Sequence, residues 1–311
     1  MVGGNASSVA RGHDADSLAT FGTLSGLERA RNTLNPTGLR SPVYRYLDLP
    51  ASEVEAGRAT HSLQLDPRFL DGRGGTSMGV LGVLADAALG NAALTVLPAG
   101  SATMTSQLRI DGARPLGPES QRLRCSGTVA GFDGVTVLAT GQIQAEDGTV
   151  VATALARCFA APTTAYTPAG VATEPPLDPP PDESRPPVEV ALGLRVQHRA
   201  GGEATLSFDA PYRLSNIFGM IHGGPLAAVL EYASWCAAGA TDGPAAGVTM
   251  LDCSVRYLRG VAGDDTPKQL TARTLHRTRR LATVECLLTA ADGITLTSAE
   301  ATYLITPARG R

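Results

Sequence analysis

The sequence predicts an α+β protein made of two copies of one unit, each a long central helix wrapped by an antiparallel sheet. Three observations predict it: a constant internal offset, one long apolar segment in each half, and runs of alternating residues after that segment. At an offset of 145 residues, Asp71 matches Asn216, Gly74 matches Gly219, Gly79 matches Gly224 and Asp86 matches Glu231. The turn pair Asp147-Gly148 matches Asp292-Gly293 at the same offset. A fixed spacing of this kind marks a repeated structural unit. Between the copies, residues 166–187 read YTPAGVATEPPLDPPPDESRPP. So much proline with so little core material favours an extended, semi-rigid connector. The expected division is an N-terminal extension, partly disordered, over 1–40, a first unit over 41–162, a Pro-rich linker over 163–187 and a second unit over 188–307.

Each half then shows one order of elements. An extended segment comes first, HSLQLD at 61–66 and ATLSFDAP at 204–211. A glycine-rich turn leads into an apolar segment over 77–97 and 222–240, long enough for a helix and apolar around most of its circumference, so largely buried. Alternating runs follow and read as strands. They are ATMTSQLRI, RLRCSGTVA, VTVLATGQIQA and TVVATALARCF in the first half, and VTMLDCSVRYL, QLTARTL, ATVECLLTA and ITLTSAEATYLI in the second. The Asp-Gly pairs join the last two strands of each half as hairpin turns. In the N-terminal extension, LSGLERARNTL at 24–34 suggests a short amphipathic helix.

Bulk composition narrows the function. The 311 residues suit two domains, and 43% hydrophobic with 18% charged residues fits a globular enzyme. A formal charge of −3 argues against general nucleic-acid binding. Five scattered cysteines (Cys125, Cys158, Cys236, Cys253, Cys286) give neither a zinc site nor a disulfide framework. The first residues lack the apolar core of a secretory signal, and the longest apolar runs carry an acid, so neither reads as a membrane span. A cytoplasmic location and no metal are the expectations.

The chemistry concentrates in the apolar segments. From Met78 to Pro98 the only charged residue is Asp86, and from Met220 to Ala240 the only acid is Glu231. An isolated acid in a helix is commonly an exposed or capping residue. Two at one repeat position, each behind a glycine-rich turn, point instead to a positioned nucleophile or general base facing a cleft or interface. Ahead of the second helix runs SNIFGMIHGGPL, in which Gly223 and Gly224 allow close backbone approach and Pro225 suits a first helical turn. Unsatisfied N–H groups at such a helix start can stabilise a developing oxyanion.

The constellation Asn216, Gly219, His222-Gly223-Gly224 and Glu231 resembles the PaaI-like hotdog acyl-CoA thioesterases. Their pattern is N-x-x-G-x-x-H-G-G, six residues, then an acid. The strand VTMLDCSVRYLRG also looks like theirs. The resemblance covers 188–307 well and reaches 41–160 through the repeat. It implies a double hotdog whose halves form an intrachain pseudo-dimer, with higher homo-oligomers possible. It also implies hydrolysis of an acyl-CoA or acyl-carrier-protein thioester, without a cofactor beyond the coenzyme A of the substrate. Carried over, Gly223 is the oxyanion donor, Asn216 positions the thioester, His222 orients the turn or ligand, and the acid is Asp86 or Glu231. Gly224 is a further ligand contact; Thr249 and Thr103, on the strands after the helices, are candidates to hydrogen-bond the acid or water, with ordinary strand threonines as the plainer reading. The first half departs from the pattern: Ser77-Met78-Gly79 replaces H-G-G and Asp71 replaces the asparagine. One competent site and one decayed or repurposed site are therefore expected.

The run HRTRR at 276–280 makes Arg279 and Arg280 candidates for gripping the nucleotide of coenzyme A, with Arg259 and Arg273 nearby. Two other functions remain open. One is a hotdog hydratase or dehydratase using His222 with Glu231, although the D-x-N-P-x-H pattern is absent. The other is a non-catalytic acyl-CoA-binding module.

Overall fold

The structure is a computed structural model that describes residues 23–35, 40–72, 75–117, 121–163, 179–240 and 247–306. Most of the expected linker, and residues 1–22 and 36–39 of the extension, lie outside the described residues.

In the first half, β1 (Ala51–Glu55) and β2 (Arg58–Gln64) precede the central helix α3 (Val80–Leu94). The strands β3 (Ser101–Gly112), β4 (Arg122–Phe132), β5 (Thr136–Ala145) and β6 (Val150–Pro162) follow it. The second half repeats the order: β7 (Leu194–Ala200), β8 (Glu203–Phe208), the central helix α5 (Gly223–Ala238), then β9 (Gly247–Tyr257), β10 (Lys268–Arg277), β11 (Leu281–Thr289) and β12 (Thr295–Thr306). Among the described residues these form one 12-stranded sheet in the order β1-β2-β4-β5-β6-β3-β9-β12-β11-β10-β8-β7. That order is its own mirror under the internal repeat. The seam is β3 against β9, antiparallel, with Leu108 opposite Val255 and Ile110 opposite Cys253. The double hotdog expected from the sequence is therefore the fold, with both halves sharing one continuous sheet.

Alternation explains the strands. Along β4 every second residue from Leu123 to Gly127 is buried, and along β11 the same holds from Ala282 to Leu288. The buried set faces the two helices, as a half-buried antiparallel sheet requires. Gly148 and Gly293 take φ of 80° and 82°. Asp147 and Asp292 accept N–H bonds two residues on, closing the hairpins. The edge strands β1 and β7 were not expected. Each is joined to its neighbour by a short glycine turn, at Gly57 and at Gly201-Gly202, all with positive φ.

The short helix α1 (Gly26–Asn32) is closed by a capping box between Ser25 and Glu28. It packs on the C-terminal end of α3, where the Gly26 N–H donates to Leu97 O at 3.0 Å. Two further short helices, α2 (Pro42–Tyr46) and α4 (Pro187–Leu192), flank the halves. No helix among the described residues is long and apolar enough to cross a membrane.

The central helices lie against each other at unusually short range, and glycine makes this possible. A Cβ on Gly224 would stand 2.6 Å from Val83 Cα, and one on Gly79 would stand 2.8 Å from Ala228 Cα. Neither neighbour can yield without moving backbone. Gly90, inside the helix that Gly79 caps, faces nothing within 4 Å. Gly224→Ala should therefore cost about 1–3 kcal/mol through overpacking. Gly90→Ala should stabilise the protein by roughly 0.5–1 kcal/mol, because a helix-interior glycine is entropically unfavourable. Chemical denaturation of the two variants checks both signs.

Candidate active site

The tight helix pair brings each acid to the first turn of the opposite helix. Asp86 sits midway along α3 and is 2% exposed. Its Oδ2 accepts the Gly224 N–H at 2.7 Å and lies 2.7 Å from His222 Nδ1. Its Oδ1 accepts the Thr105 hydroxyl at 3.0 Å. Burial pushes the Asp86 carboxyl up, but His222, Thr105 and the Gly224 amide together outweigh it and hold it below the usual carboxylate range. Asp86 is thus ionised at neutral pH, and the imidazole presents a proton to it from Nδ1. The start of α5 adds the favourable partial charge of a helix N-terminus.

A cleft of about 380 Å³ opens beside this cluster. Its lining includes Asp86, Asn216, His222, Gly223 and Tyr257. Asn216 Oδ1 accepts the N–H groups of Phe218 at 2.9 Å and Met220 at 3.2 Å, so it shapes its own turn and has only its NH2 group to offer a ligand. The Gly223 N–H is the first of the helix and has no intrahelical acceptor. Its carbonyl, which belongs to the following Gly223–Gly224 peptide, accepts the Tyr257 hydroxyl at 2.8 Å. A Cβ on Gly223 would stand 2.7 Å from Asp86 Oδ2, so only glycine lets the carboxylate come this near. The Tyr44 ring packs 5.4 Å from that of His222.

Glu231 holds the equivalent place on α5 and is also 2% exposed. Its Oε2 accepts the Gly79 N–H at 3.0 Å and the Ser77 hydroxyl at 3.4 Å, and its Oε1 accepts the Tyr303 hydroxyl at 3.2 Å. Burial pushes its carboxyl up to about 7, against the three hydrogen bonds, with Asp71 adding to the rise. The difference from Asp86 has a visible cause. Ser77 stands where His222 does and Met250 where Thr105 does. A second cleft, of about 390 Å³, adjoins Glu231 and is lined by Asp71, Ser77, Tyr232, Trp235 and Thr249 among others.

Several sequence expectations need correction. Gly224 was expected to contact the ligand, yet its N–H is committed to Asp86. Thr249 lies in the Glu231 cleft, away from His222. Thr103 lines the Asp86 cleft, but Thr105 is the threonine bonded to the acid. Arg279 and Arg280 sit in the turn between β10 and β11 and line neither cleft. That turn is at the Glu231 end of the sheet, since Leu281 pairs with Leu304 and Leu304 with Thr249. The exposed cation lining the Asp86 cleft is Arg259. His222 meets Asp86 instead of Glu231, so the dehydratase pairing weighed above is not formed. Tyr44, Thr105 and Tyr257 were not singled out from sequence, where ordinary strand and core residues look the same.

Residues 218–297 match the sequence profile of the thioesterase superfamily. An acyl-CoA thioesterase II from Mycobacterium marinum is 14% identical, with 86% of this chain and 99% of that one covered and a TM-score of 0.56. A conserved protein with hot dog fold from Alicyclobacillus acidocaldarius is 15% identical, with 83% and 96% covered and a TM-score of 0.53. The PaaI protein of the Escherichia coli phenylacetic acid degradation operon is 22% identical over 37% of this chain and 81% of its own, with a TM-score of 0.34. No curated protein matches the chain.

The raised Glu231 carboxyl sets a pH dependence. Its folded value of about 7 exceeds the ordinary 4.5. Its proton therefore contributes stability that is fully present below pH 4.5 and lost as pH rises through about 7. The full difference corresponds to about 3 kcal/mol. Wild type should lose stability relative to Glu231→Gln between pH 5 and pH 8, measured by paired thermal melts across that range.

Proposed function

We propose, from the premise that residues 218–297 form a thioesterase-superfamily domain within a double hotdog, that the chain hydrolyses acyl-CoA thioesters in the Asp86 cleft. The observation that carries this reading is one cluster drawn from both halves. An ionised carboxylate from one central helix is pressed against the first glycines of the other, inside a cleft. Acyl transfer needs an electron-pair source beside a donor for the developing oxyanion.

In this mechanism the thioester carbonyl oxygen rests on the Gly223 N–H and the Asn216 NH2 group. Asp86 supplies the electron pair, either directly or through a water whose proton it takes. The pair moves to the carbonyl carbon, negative charge gathers on the oxygen at Gly223, and collapse expels the coenzyme A thiolate. By the water route this leaves the free acid; by direct attack it leaves an Asp86–acyl anhydride, which a water then opens to the free acid and the restored carboxylate. His222 and Thr105 hold the carboxylate in place and keep it ionised. Tyr257 holds the Gly223–Gly224 peptide, whose N–H binds the Asp86 carboxylate. The exposed Arg259 marks the mouth of the cleft and suits a phosphate of the nucleotide.

The Glu231 cleft does not fit the same role. Its acid is half protonated near neutral pH, it has no histidine partner, and Asp71 would repel an oxyanion where Asn216 would support one. We therefore assign turnover to the Asp86 cleft alone.

Asp86→Asn should lower kcat for a medium-chain acyl-CoA by about 10³-fold, within the range for a lost general base or nucleophile. Glu231→Gln should keep a rate near wild type and leave the pH profile of kcat/KM unchanged. Thiol release measured from pH 6 to pH 8 checks both, and the reverse ranking would refute the assignment. Arg259→Glu should raise KM for acyl-CoA several-fold with little change in kcat, read from the same assay.

A further inference from the structure

Two cations line the Asp86 cleft among the described residues, and only one of them is buried. Arg259 is exposed at the mouth; Arg29, on α1, is 2% exposed. The Arg29 guanidinium donates from Nη2 to the Ser101 carbonyl, while its buried Nε has no acceptor. No carboxylate pairs with it among the described residues. A guanidinium taken this far out of water normally has an anion or a full set of acceptors. Burial accordingly lowers its basicity.

The position of Arg29 says what could reach it. Asp86, Gly90 and Leu94 line the cleft at four-residue steps, along one face of α3. Arg29 stands at the Leu94 end, because α1 is tied to that end through Gly26 and Leu97. From Asp86 to Leu94 the helix rises about 12 Å. Between them Gly90 leaves open space where a side chain would otherwise stand. An extended chain advances roughly 1.2 Å per bond and the hydrogen bond to the guanidinium spans about 3 Å, so about seven to nine bonds separate a carbonyl carbon at Asp86 from a carboxylate carbon at Arg29.

We propose that the Asp86 cleft selects acyl groups of about eight to ten carbons that carry a carboxylate at the end remote from the thioester, with Arg29 as the residue that reads it. The proposal rests on the thioesterase reading of the same cleft and adds its substrate class. The apolar stretch beside Gly90 and Leu94 takes the methylenes, and the guanidinium fork takes both carboxylate oxygens. A purely structural Arg29, stapling α1 to Ser101, would be indifferent to the charge of the acyl terminus.

The test compares suberyl-CoA with octanoyl-CoA, two thioesters of equal length that differ only in the terminal carboxylate. Wild type should show kcat/KM at least tenfold higher for suberyl-CoA. Arg29→Met should lower that ratio at least tenfold, and Arg29→Lys should recover part of it. Gly90→Leu should lower kcat/KM for both substrates far more than for butyryl-CoA, because it closes the channel without touching Arg29. Hydrolysis by wild type with the same ratio in Arg29→Met would overturn the carboxylate proposal and leave the thioesterase reading standing. If wild type cleaves neither thioester, that reading fails and calorimetry decides the role of Arg29. Monomethyl suberate should then bind wild type more tightly than methyl octanoate and lose that advantage in Arg29→Met; equal binding would overturn the proposal. Should Arg29→Met not fold, Arg29→Lys takes its place: a suberyl-to-octanoyl ratio well below that of wild type supports the proposal, and an unchanged ratio overturns it.

Discussion

The short contact between the two central helices is the constraint on which the rest of the molecule depends. Without side chains at Gly79 and Gly224, backbone meets backbone, and the acid of each helix falls against the first turn of the other. A buried carboxylate is tolerated in an apolar helix only when donors surround it. Here the amides of Gly224 and Gly79 reach each acid from across the pseudo-two-fold axis, joined by Thr105 and Tyr303 from the acid's own half, so neither half satisfies its acid alone. The continuous sheet through β3 and β9 serves the same end, since it fixes the two helices at one spacing and angle.

Two carboxylates at one repeat position thus titrate in opposite directions from their ordinary values through their neighbours. Asp86 gains an imidazole, a hydroxyl and an amide, which overcome the desolvation of a full burial. Glu231 gains an amide and two hydroxyls but no histidine, and desolvation prevails. The contrast separates the contribution of position from that of chemistry. Position makes both acids buried and aimed; the residues at 77 and 222, and at 105 and 250, set how readily each one carries charge.

Much of this was legible in the sequence because the repeat is exact in spacing where it matters. Asp86 and Glu231 announced themselves as lone acids in apolar helices, and the H-G-G turn marked the partner surface. Alternation located eight strands and the extended segments ahead of the helices two more, while β1 and β7 escaped because edge strands bury little: β7 shows one buried position at its start. Thr105 escaped for a different reason. It sits beside a register shift in β3, between Thr105 and Gln107, which alters the phase in which threonines face the helix. The arginines at 279 and 280 misled because a charge run carries no information about which end of a sheet it will occupy. Arg29 lay in a segment with no partner in view, and only the packing of α1 on α3 reveals where its guanidinium goes.

Fusion of the two halves into one polypeptide changes what a single substitution can do. In a symmetric pair of identical subunits, each coding change is written twice, and both sites gain or lose together. Here positions 77 and 222 are separate codons, so one cavity is free to wander in chemistry while its twin stays under selection. The unequal surroundings of the two acids are the physical form of that freedom, a division of labour available to a tandem gene and denied to a homodimer.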